Sequence, residues 1–453
     1  MGLEVDRGAR FRAHPLEVTS RVRSPCSCRI SRVSDGKQAA DLLVFGAAEI
    51  ASPRGSEARG GADLAVLDVI EGGALALADG RIAAVGPEAQ VRAAWSAEAE
   101  LDARGGLVVP GFVDAHTHPV FAGTREEEFE QRVGGASYVD IARAGGGILS
   151  SVRGVREASA ELLLEDLLAR LDRFLALGTT TVEAKTGYGL SGPDEMKCLE
   201  VIARADRAHP VDLVPTFLGA HDFPPEYRQD PGAYVDLLCE EMLPRVAESG
   251  LAEYCDVFTE DHVFGKEASR RILSRGAELG LGIRMHVDQL TPLGGAELAA
   301  ELGAVSADHL EFVSERGIEA LAGAGVIPVL CPLVPLYLGV EAEAPARLMI
   351  SAGLAPALAT DFNPGSCYTQ NMGEVLTWAA LRYGLSASEA LAAATLNAAV
   401  SLGRGATIGS LEGGKRADLA LLDVPNHRFL TYEFGRNSVQ AVIKGGELVF
   451  ERR

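Results

Sequence analysis

Between residues 111 and 403, short apolar segments alternate with longer amphipathic ones, and this alternation constrains the fold more than any other feature of the chain. Strands alternating with helices are typical of a parallel sheet covered by helices. We count eight strand candidates, at residues 112–115, 179–183, 211–217, 255–259, 281–287, 304–308, 326–331 and 354–361. Helices are predicted at residues 161–177, 233–248, 266–279 and 372–383. Eight repeats without a glycine-rich phosphate loop after the first strand favour a closed (β/α)8 TIM-like barrel of the α/β class over an open doubly wound sheet.

Both ends of the chain carry short strand candidates joined by hairpin turns. Asp79-Gly80 and Gly445-Gly446 each separate two apolar runs, and such dipeptides close two-residue hairpins. We therefore predict one small composite β-sandwich from residues 39–110 and 404–453, beside a barrel of residues 111–403. Residues 1–38 are rich in Arg and Ser without apolar periodicity, which predicts a disordered extension.

Polar side chains follow the predicted barrel strands at the same end of each. These residues are His116 and His118 after strand one, Tyr188 after strand two, His221 after strand three, His286 on strand five, His309 after strand six and Asp361 on strand eight. In a barrel these strand ends converge on one mouth, where active sites lie. A single histidine of this kind is more often structural. The prediction of one site depends on the whole set, in a chain with only 9 histidines.

The spacing His116-Thr117-His118 indicates a metal site. In an extended chain residues i and i+2 project to the same face, so both imidazoles can reach one ion. Three neutral imidazoles of the set and the Asp361 carboxylate suit one Zn²⁺ or Fe²⁺ ion, with Fe³⁺ as a further candidate, and leave a position for water. Such an ion lowers the pKa of bound water and polarises a carbonyl.

The charge of the chain excludes some classes of partner. With 42 basic and 63 acidic residues, the formal net charge is -21, which argues against nucleic acid. An anionic substrate would therefore need a local cation. No apolar segment is long enough to cross a bilayer, so no membrane association is expected. Seven cysteines without paired spacing fit a reducing, cytoplasmic compartment.

Six stretches resemble the amidohydrolase superfamily: GFVDAHTHPVFAGTREEEF, TTTVEAKTGYGL, FLGAHDFPPEY, MHVDQL, SADHLEF and ATDFNPGSCYTQNM. The resemblance implies a barrel with a composite β-sandwich and a homodimer. It also implies a small anionic substrate, with hydrolysis of the lactam-like ring C–N bond of 4-imidazolone-5-propanoate to N-formimidoyl-L-glutamate. Superfamily members with two ions often need a carbamylated lysine after strand four, and Phe258-Thr259-Glu260-Asp261-His262 contains none. One ion is therefore expected, and Lys185 is interpreted as a hydrogen-bonding or solvent-facing residue.

The resemblance also assigns roles residue by residue. The implied metal ligands are His116, His118, His286 and Asp361. The implied substrate-binding residues are Arg125, Tyr138, Tyr188, His221, Gln289, Asn363, Gly365 and Ser366. The Arg125 guanidinium suits a propionate group bidentately, and the alternative is a surface ion pair with residues 126–128. For Tyr138 the alternative is an ordinary aromatic residue packed on a helix.

The acid–base roles depend on Gln289, which occupies a position where relatives carry Glu or Gln. An amide cannot titrate, so Gln289 is predicted to orient the substrate, and proton transfer falls to Asp361 and His309. His309 is predicted to stabilise the oxyanion or to move a proton.

Two alternatives remain open from the sequence. One is deamination of an aminated heterocycle on the same kind of barrel, which usually needs Glu in the strand-five region. Gln289 argues against that reaction. The other is a metal-free structural or binding scaffold, which should have lost ligands that are all present here.

Overall fold

The computed structural model describes residues 36–135 and 146–452. The strands of these residues are, in chain order, β1 Gln38–Ser52, β2 Asp68–Ala78, β3 Arg81–Pro87, β4 Trp95–Asp102, β5 Leu107–Pro110, β6 Phe112–Asp114, β7 Thr179–Lys185, β8 Asp212–Ala220, β9 Tyr254–Thr259, β10 Gly282–Val287, β11 Ser306–His309, β12 Ile327–Leu330, β13 Ala357–Leu358, β14 Leu419–Leu422, β15 Val439–Lys444 and β16 Glu447–Glu451.

The α-helices of the same residues are Glu88–Ala94, Glu126–Val133, Ile148–Glu157, Ala160–Ala176, Gly192–Ala208, Pro231–Leu237, Leu243–Ser249, Lys266–Glu278, Gly295–Leu302, Glu315–Ala324, Leu333–Leu338, Ala346–Ser351, Met372–Tyr383, Ala387–Ala392, Ala398–Ser401 and Phe429–Tyr432. Short 3₁₀ helices span Gly61–Ala65 and Pro225–Tyr227, and π-helical turns span Leu238–Met242 and Ala393–Asn397.

Strands β6 to β13 form a parallel sheet in sequential order, which confirms the predicted (β/α)8 barrel. The first and last strands meet through residues just beyond them. Asp361 N donates to His116 O at 3.0 Å, and His118 N donates to Phe362 O at 2.9 Å. The Asp114 carboxylate accepts from Thr360 N and Thr360 Oγ1 at the same seam. The bonds that close the barrel therefore also hold three predicted ligands in place.

Two predicted elements differ from the structure. The strand predicted at residues 354–361 is reduced to Ala357–Leu358, because the chain then turns towards the first strand and Asp361 adopts a positive φ of 51°. The helix predicted at residues 233–248 is interrupted by the π-turn Leu238–Met242. Pro244 follows this turn and has no N–H to donate, which explains the interruption. The helix predicted at residues 372–383 matches Met372–Tyr383.

The second sheet draws strands from both ends of the chain, as predicted. Its order is β16-β15-β14-β5-β1-β2-β3, with β4 also paired to β1. The hairpin between β2 and β3 turns at Asp79 and Gly80, and the hairpin between β15 and β16 turns at Gly445 and Gly446, all with positive φ. Antiparallel pairing of β5 with β14 joins the two ends of the chain. Residues 1–35 of the predicted extension lie outside the described residues.

The helices cover the barrel with their apolar faces. In Ala160–Ala176, the buried Leu163, Leu167, Leu171 and Phe174 recur every three or four residues, and the Ser159 side chain caps the first turn by accepting from Leu162 N. The barrel and the second sheet are also linked by buried charge. Lys444 Nζ donates to Asp212 Oδ2 at 2.7 Å and to Asp418 Oδ2 at 2.8 Å. Across the described residues, no helix combines the length and apolar character that crossing a membrane requires.

Candidate active site

Five of the predicted site residues meet at the carboxyl-terminal mouth of the barrel: His116 and His118 after β6, His286 on β10, His309 at the end of β11 and Asp361 after β13. All five are buried. The Nε2 atom of His118 lies at the centre of the group, 3.3 Å from His116 Nε2 and 3.3 Å from His286 Nε2. It is also 3.3 Å from Asp361 Oδ1. The structure thus brings together the four side chains predicted as metal ligands from distant parts of the chain.

Carboxylates behind two of the imidazoles set their tautomers. His116 Nδ1 donates to Asp308 Oδ2 at 2.6 Å, and His286 Nδ1 lies 2.9 Å from Asp256 Oδ2. With Nδ1 protonated, both rings present an Nε2 lone pair towards His118. A single proton on His118 Nε2 could satisfy only one of these two neighbours, whereas a cation between the rings would accept lone pairs from all of them. Asp361 Oδ1, which lies at the same point, has no hydrogen-bond partner in the described part of the chain. This donor set fits one divalent ion.

Burial keeps these imidazoles in the form that binds metal. It lowers the pKa of His116 and His118 well below the usual histidine range, and the charge of Lys185 lowers the pKa of His116 further. A neutral imidazole is the form that ligates a cation. For Asp361 burial has the opposite effect and raises the pKa of the carboxyl group, which His309 partly offsets.

His309 provides a fourth imidazole at the mouth. With His116 and His286 it forms a second group whose ligand atoms all lie within 4.8 Å of one another. Its Nδ1 atom has no hydrogen-bond partner among the residues that the structure describes and lies 3.9 Å from Glu311 Oε1. Burial lowers the pKa of His309 to about 3, so the ring is neutral at pH 7. A neutral ring carries one N–H donor and one acceptor, as a proton-transfer group needs.

Beneath the imidazoles lies a fully buried charge network that sequence analysis missed, consisting of Glu183, Lys185, Asp256, Arg284 and Asp308. We call these five residues the charge floor. Lys185 Nζ donates to Glu183 Oε1 at 2.8 Å and to Asp256 Oδ2 at 2.7 Å, and it lies 3.6 Å from Asp308 Oδ2. Arg284 Nε lies 3.0 Å from Glu183 Oε1, and Arg284 Nη2 lies 3.7 Å from Asp308 Oδ2. Lys185 is therefore a hydrogen-bonding residue, and the solvent-facing alternative is wrong.

A signal for the charge floor is present in the sequence. Glu183 and Lys185 are two residues apart in β7, and Arg284 and His286 are two residues apart in β10, so each pair faces the same side of its strand. In an apolar barrel strand, charges with this spacing point into the interior, where they must find partners. The sequence does not say which strand provides each partner.

Tyr188 and His221 lie beside the candidate ligand His118. The His221 ring stacks on the His118 ring with a centroid distance of 5.1 Å and an interplanar angle of 20°, and the Tyr188 ring lies 6.1 Å from His118. His221 Nδ1 donates to Gly187 O at 3.0 Å, which leaves its Nε2 atom as an acceptor. Burial lowers the pKa of His221 well below the usual range and raises the pKa of the Tyr188 phenol, so a neutral acceptor lies next to a protonated donor.

Arg125 is engaged by a neighbouring carboxylate. Its Nε and Nη2 atoms donate to Glu128 Oε2 at 2.9 and 2.7 Å, so the structure contains the ion pair that was the alternative to substrate binding. The guanidinium also lies against Gly365, where a Cβ atom would collide with it. A side chain at residue 365 would displace the guanidinium, and Arg125 therefore borders the loop of residues 363–366.

The loop of residues 363–366 satisfies many of its own polar groups. Asn363 Oδ1 accepts from Gly365 N at 2.8 Å and from Ser366 N at 2.7 Å. Asn363 Nδ2 donates to Asp361 O at 2.7 Å and to Ser366 Oγ at 2.8 Å. The backbone N–H groups of Gly365 and Ser366, two of the predicted substrate-binding residues, thus donate within the loop, and Asn363 fixes the loop to Asp361.

Gln289 is buried and held at the mouth by its backbone. Gln289 N and Leu290 N donate to Glu260 Oε1 at 2.9 and 2.8 Å, and the Thr291 hydroxyl donates to Glu260 Oε2. Glu260, which is not among the predicted site residues, positions the segment that carries Gln289. Tyr138 lies outside the described residues.

Glu311 is a further buried acid that sequence analysis missed. Neither of its carboxylate oxygens has a hydrogen-bond partner in the described part of the chain, and burial raises its pKa well above the usual range. His309, Leu310 and Asp361 near it all have positive φ, a conformation that costs energy for residues other than glycine. Such strain is concentrated at functional sites.

Comparisons with known proteins agree on one family. Residues 266–449 match the Amidohydrolase family, and residues 73–95 match the Imidazolonepropionase-like composite domain of bacteria. The chain is 51% identical over 415 residues to the imidazolonepropionase of Symbiobacterium thermophilum, covering 91% of this chain and 97% of that protein. It is 49% identical over 387 residues to the imidazolonepropionase of Geobacillus kaustophilus, covering 84% of this chain and 91% of that protein.

Among solved structures, the chain is similar to an adenosine deaminase from Xanthomonas campestris with bound zinc. The TM-score is 0.67 at 22% identity, and the alignment covers 91% of this chain and 93% of that one. At this identity the likeness shows the fold alone.

Proposed function

The chain belongs to the imidazolonepropionase family of amidohydrolases, and on that premise we propose that the mouth of its barrel is the metal-dependent centre of the reaction. As a member of this family, it is a hydrolase that opens the ring C–N amide bond of 4-imidazolone-5-propanoate to give N-formimidoyl-L-glutamate in histidine degradation. The observation that carries the proposed centre is the convergence of His116, His286 and Asp361 on His118 Nε2, which lies 3.3 Å from one atom of each.

The amidohydrolase family supports a divalent metal cofactor, and the four converging donors are the residues that would hold it. A divalent ion supplies Lewis acidity, which activates water and polarises a carbonyl group. We propose Zn²⁺ or Fe²⁺, since both accept three nitrogens and one carboxylate. Neutral imidazoles and an inward-facing carboxylate oxygen support this choice.

In the proposed mechanism Asp361 takes the proton of the attacking water. Its Oδ1 atom is free of hydrogen bonds among the described residues, and burial raises its pKa, which strengthens the carboxylate as a base. Asn363 donates to the Asp361 carbonyl oxygen and keeps the backbone of Asp361 in place. Oδ1 thereby stays directed at the ligand cluster, 3.3 Å from His118 Nε2.

His309 is proposed to act on the oxyanion and on the leaving ring nitrogen. Its neutral ring donates to the developing oxyanion, or it relays the proton taken up by Asp361 to the leaving ring nitrogen by accepting at one ring nitrogen and donating from the other. Gln289 is proposed to orient the substrate, because its amide donates and accepts hydrogen bonds without titrating. Tyr188 and His221 supply a further donor and acceptor beside His118.

Arg125 is proposed to bind the propionate carboxylate. Because Arg125 is already paired with Glu128, the substrate carboxylate would exchange with that partner. Gly365 and Ser366 border this position, and Tyr138 completes the proposed set of substrate-binding residues.

The proposal also covers the domains, the oligomeric state, the location and the partners of the protein. We propose a chain divided into a composite β-sandwich of residues 39–110 and 404–453 and a barrel of residues 111–403. We also propose a cytoplasmic homodimer that binds a small anionic substrate and no nucleic acid. Exposed Leu381, Tyr432 and Phe434, on or beside the packed helices Met372–Tyr383 and Phe429–Tyr432, support the dimer.

The test measures loss of 4-imidazolone-5-propanoate together with bound metal content. Turnover should require one equivalent of metal, should cease on chelation and should return when metal is added back. Cytosine and an aminopurine serve as substrates for the deaminase alternative. Faster turnover of either than of the imidazolone, or equal turnover in chelated protein, would contradict the proposal.

A further inference from the structure

We propose that Lys185 is a positioning residue that holds the two carboxylate–imidazole pairs of the metal centre from below. The first pair is His116 with Asp308, and the second is His286 with Asp256. The inference rests on the proposed metal centre and adds to it a residue that contacts none of the four ligands. Lys185 thereby fixes where the ligand nitrogens point.

The ammonium group of Lys185 lies between the two carboxylates that orient the ligands. It donates to Asp256 at 2.7 Å and lies 3.6 Å from Asp308, and its remaining close partner is Glu183 at 2.8 Å. An ammonium group has three donors, and three carboxylates surround it here. Asp256 also accepts from His286 N at 3.2 Å, so this carboxylate contacts both the backbone and the ring of His286.

The backbone of Lys185 is fixed to the segment that carries the other two histidines. Lys185 N donates to Thr117 O at 3.0 Å, and the Thr117 hydroxyl donates to Glu183 O at 2.5 Å. Thr117 lies between His116 and His118, so strand β7 holds this segment through the residue whose side chain points away from the ligands. Lys185 therefore links all three candidate imidazole ligands.

Arg284 cannot replace Lys185 in this position. It donates to Ser401 O and Ala115 O, both at 2.8 Å, and its Nη2 atom is 3.7 Å from Asp308 Oδ2. Its guanidinium thus holds two backbone carbonyl groups and partly neutralises Glu183 and Asp308. Lys185 is the cation that directly touches the carboxylate behind His286.

The charges of the cluster match a divalent ion. In the charge floor three carboxylates face two cations, which leaves one net negative charge. Asp361 adds a second, so a divalent ion balances the buried group. Without Lys185, three negative charges of the floor would be opposed by Arg284 alone. Asp256 and Asp308 would then repel each other and lose their fixed geometry behind the imidazoles.

The test measures binding of Co²⁺ to the full chain, by titration and by the visible absorption spectrum, which reports ligand geometry. Lys185→Met keeps an unbranched side chain of similar length and removes the ammonium. We expect the Kd for Co²⁺ to rise by about 10–100-fold, the effect typical of losing an outer-shell partner, together with a changed spectrum. The matched control is Lys444→Met, which removes a buried lysine paired with two carboxylates away from the mouth. Its Kd and spectrum should equal those of the wild type.

The direction of the change separates positioning from simple charge. If Lys185 acted only through its positive charge, its removal would tighten Co²⁺ binding and leave the spectrum unchanged. Tighter or unaltered binding with a wild-type spectrum would therefore overturn the inference. Failure of the wild type to bind one equivalent of Co²⁺ would instead overturn the metal centre itself.

A second variant tests the inference if Lys185→Met alone does not fold. Glu183→Gln combined with Lys185→Met keeps the net charge of the floor while leaving Asp256 and Asp308 without the ammonium. Weakened binding and a changed spectrum in this variant support positioning by Lys185, and wild-type binding refutes it. Thermal unfolding of the metal-free proteins shows which of the two variants is folded, and the folded variant is then compared with the wild type.

Discussion

The two sides of the active site satisfy their polar groups in different ways. On the ligand side, three imidazole Nε2 atoms converge beside Asp361 Oδ1, an oxygen without a hydrogen-bond partner among the described residues, while carboxylates from other strands hold two of the rings from behind. On the opposite side, which we call the rim, polar groups pair with near neighbours in sequence. Arg125 pairs with Glu128, and Asn363 bonds within its own loop.

The two sides are therefore suited to bind a cation and an anionic substrate in different ways. The ligand side is arranged for a cation before one arrives, since its unpaired lone pairs are held rigidly by long-range contacts. The proposed substrate-binding groups of the rim are engaged in internal pairs, so an anionic substrate would have to exchange with a partner already present. Changes on the ligand side should therefore reduce turnover, and changes at the rim should alter substrate affinity.

The largest effect is expected from Asp361→Asn. The amide keeps the shape of the side chain but cannot accept the proton of the attacking water. We expect kcat to fall by about 10²–10⁴-fold, the usual contribution of a general base, with an unchanged Tm. Steady-state kinetics and metal analysis of the same sample check this. Turnover within a few-fold of wild type in metal-loaded variant would remove Asp361 from proton transfer.

A smaller effect, confined to affinity, is expected from Arg125→Met. A hydrogen bond to a charged group contributes about 1.5–3 kcal/mol, which corresponds to about a 10–100-fold rise in KM, with kcat nearly unchanged. The control is an imidazolone that lacks the propionate carboxylate, for which variant and wild type should have equal KM. A loss of kcat with unchanged KM would place Arg125 on the catalytic side of the comparison.

The ligand side of the site could be predicted from the sequence more fully than the charge floor or the rim. The four candidate ligands were found because each follows or ends an apolar strand, and the barrel collects such ends. The charge floor was missed because its members lie on four strands, β7, β9, β10 and β11, and their pairing depends on strand order. At the rim, the sequence left both outcomes for Arg125 open, since an arginine near three glutamates suits either.

The fold was predictable to a similar degree, and its exceptions have local causes. Hydrophobic periodicity was sufficient to find eight barrel strands and the two terminal hairpins. It overestimated the last strand, because the apolar run continues past Leu358 while the backbone turns to reach β6. It also missed the π-turn Leu238–Met242, since the side-chain pattern around Pro244 remains helical.

The ligand side should also make the metal-free protein sensitive to acid through His309. Burial lowers the pKa of His309 to about 3, whereas an unfolded histidine titrates near about 6.5. As the pH falls from about 6.5 towards 3, the unfolded state takes up a proton that the native state does not, so this contribution to stability is lost. Above about pH 6.5 the contribution is fully present.

Denaturant unfolding of metal-free protein between pH 7 and pH 5 checks this prediction, with His309→Gln as the comparison. The free energy of unfolding of the variant should fall less on acidification. Its slope against pH should be smaller by the equivalent of up to about one bound proton. The difference between the two proteins removes the contributions of buried carboxyl groups such as Asp114, whose pKa is raised by burial to about 7 and whose effect has the opposite sign. Identical slopes would show that His309 is not held neutral by burial.

The smallest effect tests the rim itself, through Glu128→Gln. If Glu128 competes with the substrate carboxylate for Arg125, removing its charge should free the guanidinium and lower KM by a few-fold. The amide can still accept from Gly147 N, as the carboxylate does at 3.1 Å, so the start of the following helix keeps its contact. Adding Arg125→Met to Glu128→Gln should abolish the gain, because the two residues act through one ion pair. A higher KM in Glu128→Gln would mean that Glu128 holds Arg125 in its binding position, and the rim would then resemble the ligand side, where carboxylates orient the groups that bind.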